Sequence, residues 1–146
     1  MGVSIKCQYG LRALFELGRR WGQGLVRIPE IARVQMIPER FLENILNQLR
    51  QGGFVESRRG RGGGFMLARP PSGITVEELI SFLDGQIYHL NCDGEQPVHP
   101  CPLRGGCVFM PLWKEARAAL TNVYRSKTLQ DLIDLDNLPR LPDYNI

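Results

Sequence analysis

The chain has 146 residues, of which 43% are hydrophobic, and its formal net charge at pH 7 is +3. This length suits one domain with an appendage, and the hydrophobic share is large enough to build a core. No apolar run is long enough to span a membrane and the N-terminus lacks the order of a signal peptide, so we expect a cytoplasmic protein with reduced thiols.

Basic residues are concentrated in the first half of the chain. Residues 1–70 contain twelve Arg or Lys against five acids, a balance of +7, whereas residues 71–146 contain six against ten, a balance of −4. Eleven of the twelve are arginines, whose guanidinium group suits phosphate and guanine. The asymmetry favours a first half that binds nucleic acid, although a solvated basic surface would give the same balance.

The first three predicted helices have the spacing of a helix-turn-helix. Ser4 can cap a helix that reaches about Leu17. A short second helix is predicted from Pro29 to about Gln35, and a second proline, Pro38, opens a third helix. Because only a few residues separate the second helix from the third, the pattern predicts a helix-turn-helix.

The third predicted helix has an apolar stripe and a polar face. The stripe predicts one buried side and consists of Phe41, Leu42, Ile45, Leu46 and Leu49. The polar face carries side chains that hydrogen-bond base edges and phosphates, concentrated toward the helix N-terminus, where recognition helices meet the major groove. The candidate DNA contacts here are Pro38, Glu39, Arg40, Glu43, Asn44 and Asn47.

A basic hairpin follows the third helix. Residues 54–57 and 65–68 are predicted strands, and the glycine-rich segment between them carries three arginines. A nucleotide-binding glycine loop would need a following helix, and a plain flexible turn would have little use for three arginines. A helix-turn-helix followed by such a hairpin is a winged helix, which makes the fold mainly α with a small β-wing. The candidate DNA contacts in the wing are Arg58, Arg59, Arg61 and Gly62.

The second half of the chain is predicted to contain three helices. A capping box from Thr75 to Glu78 opens a fourth helix that ends at Gly85, and Thr128 opens a short last one. Between them, residues 111–125 form a long helix that is apolar on two sides, which favours one side buried in its own domain and one in a partner over a deep core helix. The candidate dimerisation residues are Leu112, Ala116, Ala119 and Val123.

Three of the four cysteines lie in one segment without apolar periodicity. Cys92, Cys101 and Cys107 are surrounded by Gly, Pro and charged residues. Thiolates are soft ligands that suit iron–sulfur clusters, zinc and Cu(I), and we favour metal binding over free thiols or a disulfide. His89 and His99 have no acid–base constellation around them, so we expect no catalysis and no small-molecule substrate.

These segments divide the chain into four expected parts. They are a DNA-binding domain at 1–85, a cysteine-rich loop at 86–107, a dimerisation helix with a short closing helix at 108–136, and a loose tail at 137–146.

The chain resembles the winged-helix iron–sulfur transcription regulators of the IscR, NsrR and RirA type over nearly its whole length. The similarity rests on Lys6, residues 9–14, Ile31-Ala32, Phe41-Leu42-Glu43, Arg59-Gly60, residues 62–65, residues 67–70, Ile74-Thr75-Val76 and the three cysteines. The resemblance implies a homodimer with crossing long helices that binds a partly symmetric operator in double-stranded DNA.

The resemblance also implies roles for particular residues. Glu43 and its neighbours would contact bases, Arg59 and Arg61 would enter the minor groove, and an iron–sulfur cluster would be held by Cys92, Cys101 and Cys107. The sequence departs from the family at the fourth ligand. Met110 stands where IscR has a histidine, and Gln8 stands where NsrR has an aspartate in its first helix.

The cluster type, 2Fe–2S or 4Fe–4S, is therefore open. Three thiolates with a weak or non-protein fourth ligand are the preferred set, and the candidate protein donors are Cys7, Gln8, His89 and His99. The leading hypothesis is a regulator whose operator affinity changes when the cluster senses iron, redox state or nitric oxide. A winged-helix regulator with a structural zinc in the same loop is the alternative, and a small iron–sulfur redox protein is less favoured.

Overall fold

The structure is a computed structural model that describes residues 3–85, 102–103 and 105–139. The described residues form six α-helices, one short 3-10 helix and a two-stranded sheet, in the order predicted for a winged helix with a long second-half helix. Their bounds are α1 Ile5–Arg19, α2 Ile28–Gln35, α3 Glu39–Gln51, β1 Val55–Arg58, β2 Gly64–Leu67, the 3-10 helix Pro71–Gly73, α4 Val76–Asp84, α5 Met110–Arg125 and α6 Leu129–Asp136. The predicted fold class is confirmed.

Helix α1 is the centre of the core. It packs against α2, α3, α4 and α6, and its inward residues Ala13, Leu14 and Leu17 are almost fully buried. Ser4 caps the helix as predicted, because its side chain accepts a hydrogen bond from the Cys7 amide at 3.1 Å. The helices that carry candidate DNA contacts therefore rest on one buried scaffold.

A three-residue turn joins α2 to α3. Met36 closes α2 in the left-handed region, with φ 51°, and the amide of Ile37 donates to the carbonyl of Ala32 at 2.9 Å. Ile37 is buried, and Pro38 is the N-cap residue of α3. This turn holds the two helices at a fixed angle, as the predicted helix-turn-helix requires.

The wing is a β-hairpin whose strands lie within one residue of the predicted positions. Strands β1 and β2 pair antiparallel, from Val55 opposite Leu67 to Arg58 opposite Gly64. Phe54 precedes β1 and is buried, so the hairpin is anchored to the core at its base while its tip projects from it.

Two details of the predicted packing are wrong. Phe41 was placed in the buried stripe of α3, but it is 62% exposed, since the other four apolar residues alone occupy the side that faces the core. The predicted capping box of α4 is only half formed. Thr75 accepts from the Glu78 amide at 3.2 Å, but the Glu78 carboxylate pairs instead with Arg69.

Helix α5 is less covered than predicted. None of its residues is buried, and its main packing partner among the described elements is α4. The side with Trp113, Leu120 and Tyr124 is half-buried, whereas Leu112 and Val123 are 53% and 57% exposed. No described helix combines the length and apolar character needed to cross a membrane.

Candidate nucleic-acid interface and cysteine segment

The polar face of α3 is presented to solvent. Pro38, Glu39, Arg40, Glu43 and Asn44 are exposed and Asn47 is half-buried. The opposite side of the helix is fixed, because Leu42, Leu46 and Leu49 are fully buried. A helix anchored along one side and polar along the other can enter the major groove without rearranging the core.

The wing presents its arginines beside this helix. Arg58, Arg59 and Arg61 are exposed, and none of them forms a salt bridge within the described part of the chain. The tip turns at Gly60 and Gly62, with φ values of 95° and 82° that favour glycine. All ten candidate DNA contacts are therefore in or next to α3 and the wing, and most of them are exposed.

A partly buried polar network, which the sequence did not predict, joins Glu16, Arg20, Glu30 and Gln35 behind the helix-turn-helix. The carboxylate of Glu16, only 3% exposed, accepts hydrogen bonds from Arg20 Nε at 2.9 Å and from Gln35 Nε2 at 3.1 Å. Arg20 also pairs with Glu30, and this hydrogen bond is the main cause that raises the pKa of Arg20 above its ordinary value. In the sequence, this network is indicated only by the spacing of Glu16 and Arg20, because opposite charges four residues apart are neighbours on a helix.

The network connects α1 to both ends of α2. Glu30 lies in the first turn of α2 and Gln35 is its last residue. Because α2 packs against α3, the network also fixes the support on which α3 rests.

The cysteine segment is described only at its C-terminal end. Cys107 is half-buried and lies shortly before α5. Cys92, Cys101, His89 and His99 lie outside the described residues. Within the described ranges no three His, Cys, Asp or Glu side chains are grouped as metal ligands.

The two candidate fourth ligands in α1 have different environments. Cys7 is fully buried, and burial, followed by the charge of Asp84, raises the pKa of its thiol to about 12. In the metal-free chain this thiol is therefore protonated at neutral pH, and its side chain has no access to solvent. Gln8 is exposed, and its Nε2 donates to the Val3 carbonyl at 2.9 Å.

The start of the cysteine segment is tied to α1. Asp84 is the last residue of α4. Its Oδ2 accepts from the Ser4 amide at 2.8 Å and its Oδ1 accepts from the Ser4 hydroxyl. The loop thus leaves from a point that is hydrogen-bonded to the N-terminus of α1, and it ends next to α5.

The predicted dimerisation residues lie on the outer side of α5. Leu112, Ala119 and Val123 are exposed and Ala116 is half-buried. An apolar side left open along a sixteen-residue helix is what a partner helix would cover.

Comparison with known proteins gives matches over most of the chain. A family model described as Rrf2, iron-dependent transcriptional regulator, matches residues 3–135. An rrf2-like helix-turn-helix regulator of Rhodobacter capsulatus is 35% identical over 141 residues, covering 92% of this chain and 94% of that protein. The solved structure of CymR, the global cysteine regulator of Bacillus subtilis, is 31% identical with a TM-score of 0.73, covering 92% of this chain and 98% of that one. That of T. potens IscR is 29% identical with a TM-score of 0.74, covering 97% and 94%.

Proposed function

The chain belongs to the Rrf2 family of winged-helix transcription regulators and is not an enzyme, and we propose that it binds operator DNA as a homodimer with an affinity set by an iron–sulfur cluster. The observation that carries the proposal is the exposed set of candidate contacts on α3 and the wing, in a domain whose Asp84, just before the cysteine segment, is hydrogen-bonded to the N-terminus of α1.

The DNA-binding part of the proposal is supported by charge and exposure. Glu43 and its neighbours on α3 would contact base edges in the major groove, while Arg59 and Arg61 at the wing tip would reach the adjacent minor groove. These side chains are exposed. Two copies related by a twofold axis would place two such units on a partly symmetric operator.

The cluster part is supported by the chemistry of the donor set. Cys92, Cys101 and Cys107 would hold the cluster through thiolates, and Cys107 has a partly accessible side chain. Cys7 is fully buried and so lies out of reach of an external cluster, and the preferred set stays three thiolates with a weak or non-protein ligand. Gln8, which is exposed, and His89 and His99, which lie outside the described residues, remain the alternative donors.

A bound cluster would supply a redox-active group that oxidants or nitric oxide can modify and that is lost when iron is scarce. The chain itself offers a route from the loop to the DNA-binding unit. Asp84 joins the start of the loop to α1, and Cys107 lies next to α5, so a change in loop length or shape would act on both helices.

Single Cys→Ala substitutions of the three loop cysteines test the proposal. We expect each to lose most of the bound iron and sulfide in protein purified without oxygen, and to lose the difference in operator affinity between cluster-loaded and cluster-free protein. Cys7→Ala is the matched control and should keep both. Full iron occupancy in all three variants would reject the site, and stoichiometric zinc without sulfide would favour the structural-zinc alternative.

A further inference from the structure

A cleft lies between the start of α2 and the wing. Its volume is about 530 Å³, and it is lined by Arg27, Ile28, Pro29, Arg58, Gly60, Arg61, Gly63, Gly64 and Phe65. Three of these side chains are arginines, and none of the described residues that line the cleft is acidic. Arg27 was not among the candidate DNA contacts identified from the sequence.

The two sides of the cleft are joined by backbone hydrogen bonds. Val26 and Phe65 pair as an antiparallel bridge, with the amide of each donating to the carbonyl of the other at 2.8 Å. Val26 is buried and immediately precedes Arg27. The position of Arg27 relative to the wing is therefore fixed by the main chain and does not depend on a flexible linker.

Glycine is needed for this close approach. A Cβ at Gly64 would lie 2.5 Å from the Val26 carbonyl oxygen, and one at Gly63 would lie 2.3 Å from the Arg58 carbonyl oxygen. Both contacts are with backbone and cannot be relieved by rotating a side chain. The cleft is thus a built feature of the fold.

The three arginines of the cleft form no salt bridge within the described part of the chain. Arg20 and Arg69 pair with Glu30 and Glu78, whereas Arg27, Arg58 and Arg61 form none of the salt bridges found among the described residues. Gathering three guanidinium groups without a carboxylate costs electrostatic free energy, and an anion between them would offset that cost. The positive end of the α2 dipole acts in the same direction.

We propose that this cleft holds a backbone phosphate of the DNA duplex, with Arg27 as a phosphate contact; the proposal rests on the proposed function. A protein that places α3 in the major groove and the wing in the adjacent minor groove must straddle the phosphate backbone between them. The first helix of a helix-turn-helix crosses that backbone. The cleft lies where α2 meets the wing, so it is the part of the surface that faces the straddled strand.

The test compares Arg27→Gln with wild type on two duplexes, one selected by wild type from a random pool and one of scrambled sequence. Arg27 is exposed, so the melting temperature should not change. We expect affinity to fall about tenfold on both duplexes, as for the removal of one charge-assisted hydrogen bond. The salt slope, which is the slope of log affinity against log salt concentration, should become shallower by about one unit. Arg125→Gln, which makes the same charge change at the end of α5, should leave both quantities near wild type.

Neutral methylphosphonates, placed one at a time along the selected duplex, identify the contact. At one position, the methylphosphonate should weaken DNA binding by wild type but should not weaken binding by Arg27→Gln any further. Inorganic phosphate at constant ionic strength should not compete with the duplex, and competition would assign the cleft to free phosphate instead. The proposal for the cleft would be overturned by an unchanged salt slope in Arg27→Gln, or by methylphosphonates that weaken both proteins equally at every position. Neither result would contradict the proposed function. A wild type that binds no duplex would reject the proposed function itself.

Discussion

Glu16 is a carboxylate placed in the interior to position other polar groups. It is only 3% exposed, and the protein satisfies it with hydrogen bonds from Arg20 and Gln35. Burial of a charged group is unfavourable unless partners of this kind replace the water that it gives up. The residue therefore helps to determine the angle between α1 and α2.

Replacing Glu16 by Ala should destabilise the fold. The change leaves the Arg20 and Gln35 donors without their acceptor, which costs on the order of 1–3 kcal/mol for partly buried groups. Urea unfolding followed by circular dichroism measures the destabilisation, and Glu56→Ala on the exposed edge of β1 is the control. An unfolding midpoint equal to that of the control would mean that the network contributes nothing to stability.

Cys7 should be chemically inert in the folded protein. Its thiol pKa is raised from 9.0 to about 12, so the folded state favours the protonated form. The resulting stability is present below pH 9 and disappears as pH rises from about 9 to 12. In metal-free protein at pH 8, iodoacetamide should label Cys107 long before Cys7, and peptide mass spectrometry measures both rates. Rapid labelling of Cys7 without unfolding would contradict the burial of its side chain.

The proposed DNA contacts are divided between two elements, α3 and the wing. Helix α3 is anchored by buried leucines and offers mixed polar side chains, as base contacts require. The wing tip offers arginines and glycines, which suit the narrow minor groove and the phosphates that flank it. Sequence preference should therefore reside in α3, and salt-dependent affinity should reside largely in the wing.

Neutralising the wing tip tests this division. The double substitution of Arg59 and Arg61 by Gln should weaken binding to every duplex and reduce the salt slope by roughly one unit for each phosphate that is no longer neutralised. Glu43→Ala should instead relax sequence preference with little change in slope. Competition between selected and scrambled duplexes at several salt concentrations separates the two effects. A double variant that binds as tightly as wild type at all salt concentrations would reject the wing assignment.

In the whole molecule, one apolar side of α5 is left uncovered by the described part of the chain. Its half-buried side packs mainly on α4, while Leu112 and Val123 are more than half exposed. Leaving such side chains in water forfeits the free energy of burial, about 25 cal/mol for each Å² of apolar surface. A second copy would cover this side by symmetry.

Charging the outer side of α5 should separate the proposed dimer. Leu112→Asp with Val123→Asp places two like charges where the partner helix would pack, and we expect a folded monomer with much weaker operator binding. Asn137→Asp, at an exposed site at the end of α6, controls for added charge. Sedimentation equilibrium gives the mass of each. If the double variant sediments as a dimer with wild-type affinity, this side of α5 is not the interface.

Local patterns in the sequence were enough to predict the helices and strands and to place the candidate contacts along the chain. Ser4 and Gly85 were identified as helix ends because capping depends on residues a few positions apart. The helix-turn-helix and the wing followed from periodicity and glycine content, which are also local. The polar face of α3 followed from the buried face opposite to it, without knowledge of any other element.

Contacts between residues that are distant in the chain became visible only in the folded structure. Asp84 meets Ser4 from 80 positions away and helps to raise the pKa of Cys7. Glu78 pairs with Arg69 and not with the start of its own helix. The Val26–Phe65 bridge brings Arg27 to the wing. The periodicity of apolar residues indicates which side of a helix or strand is buried, but it does not indicate which other element packs against that side. The contacts named above depend on that packing.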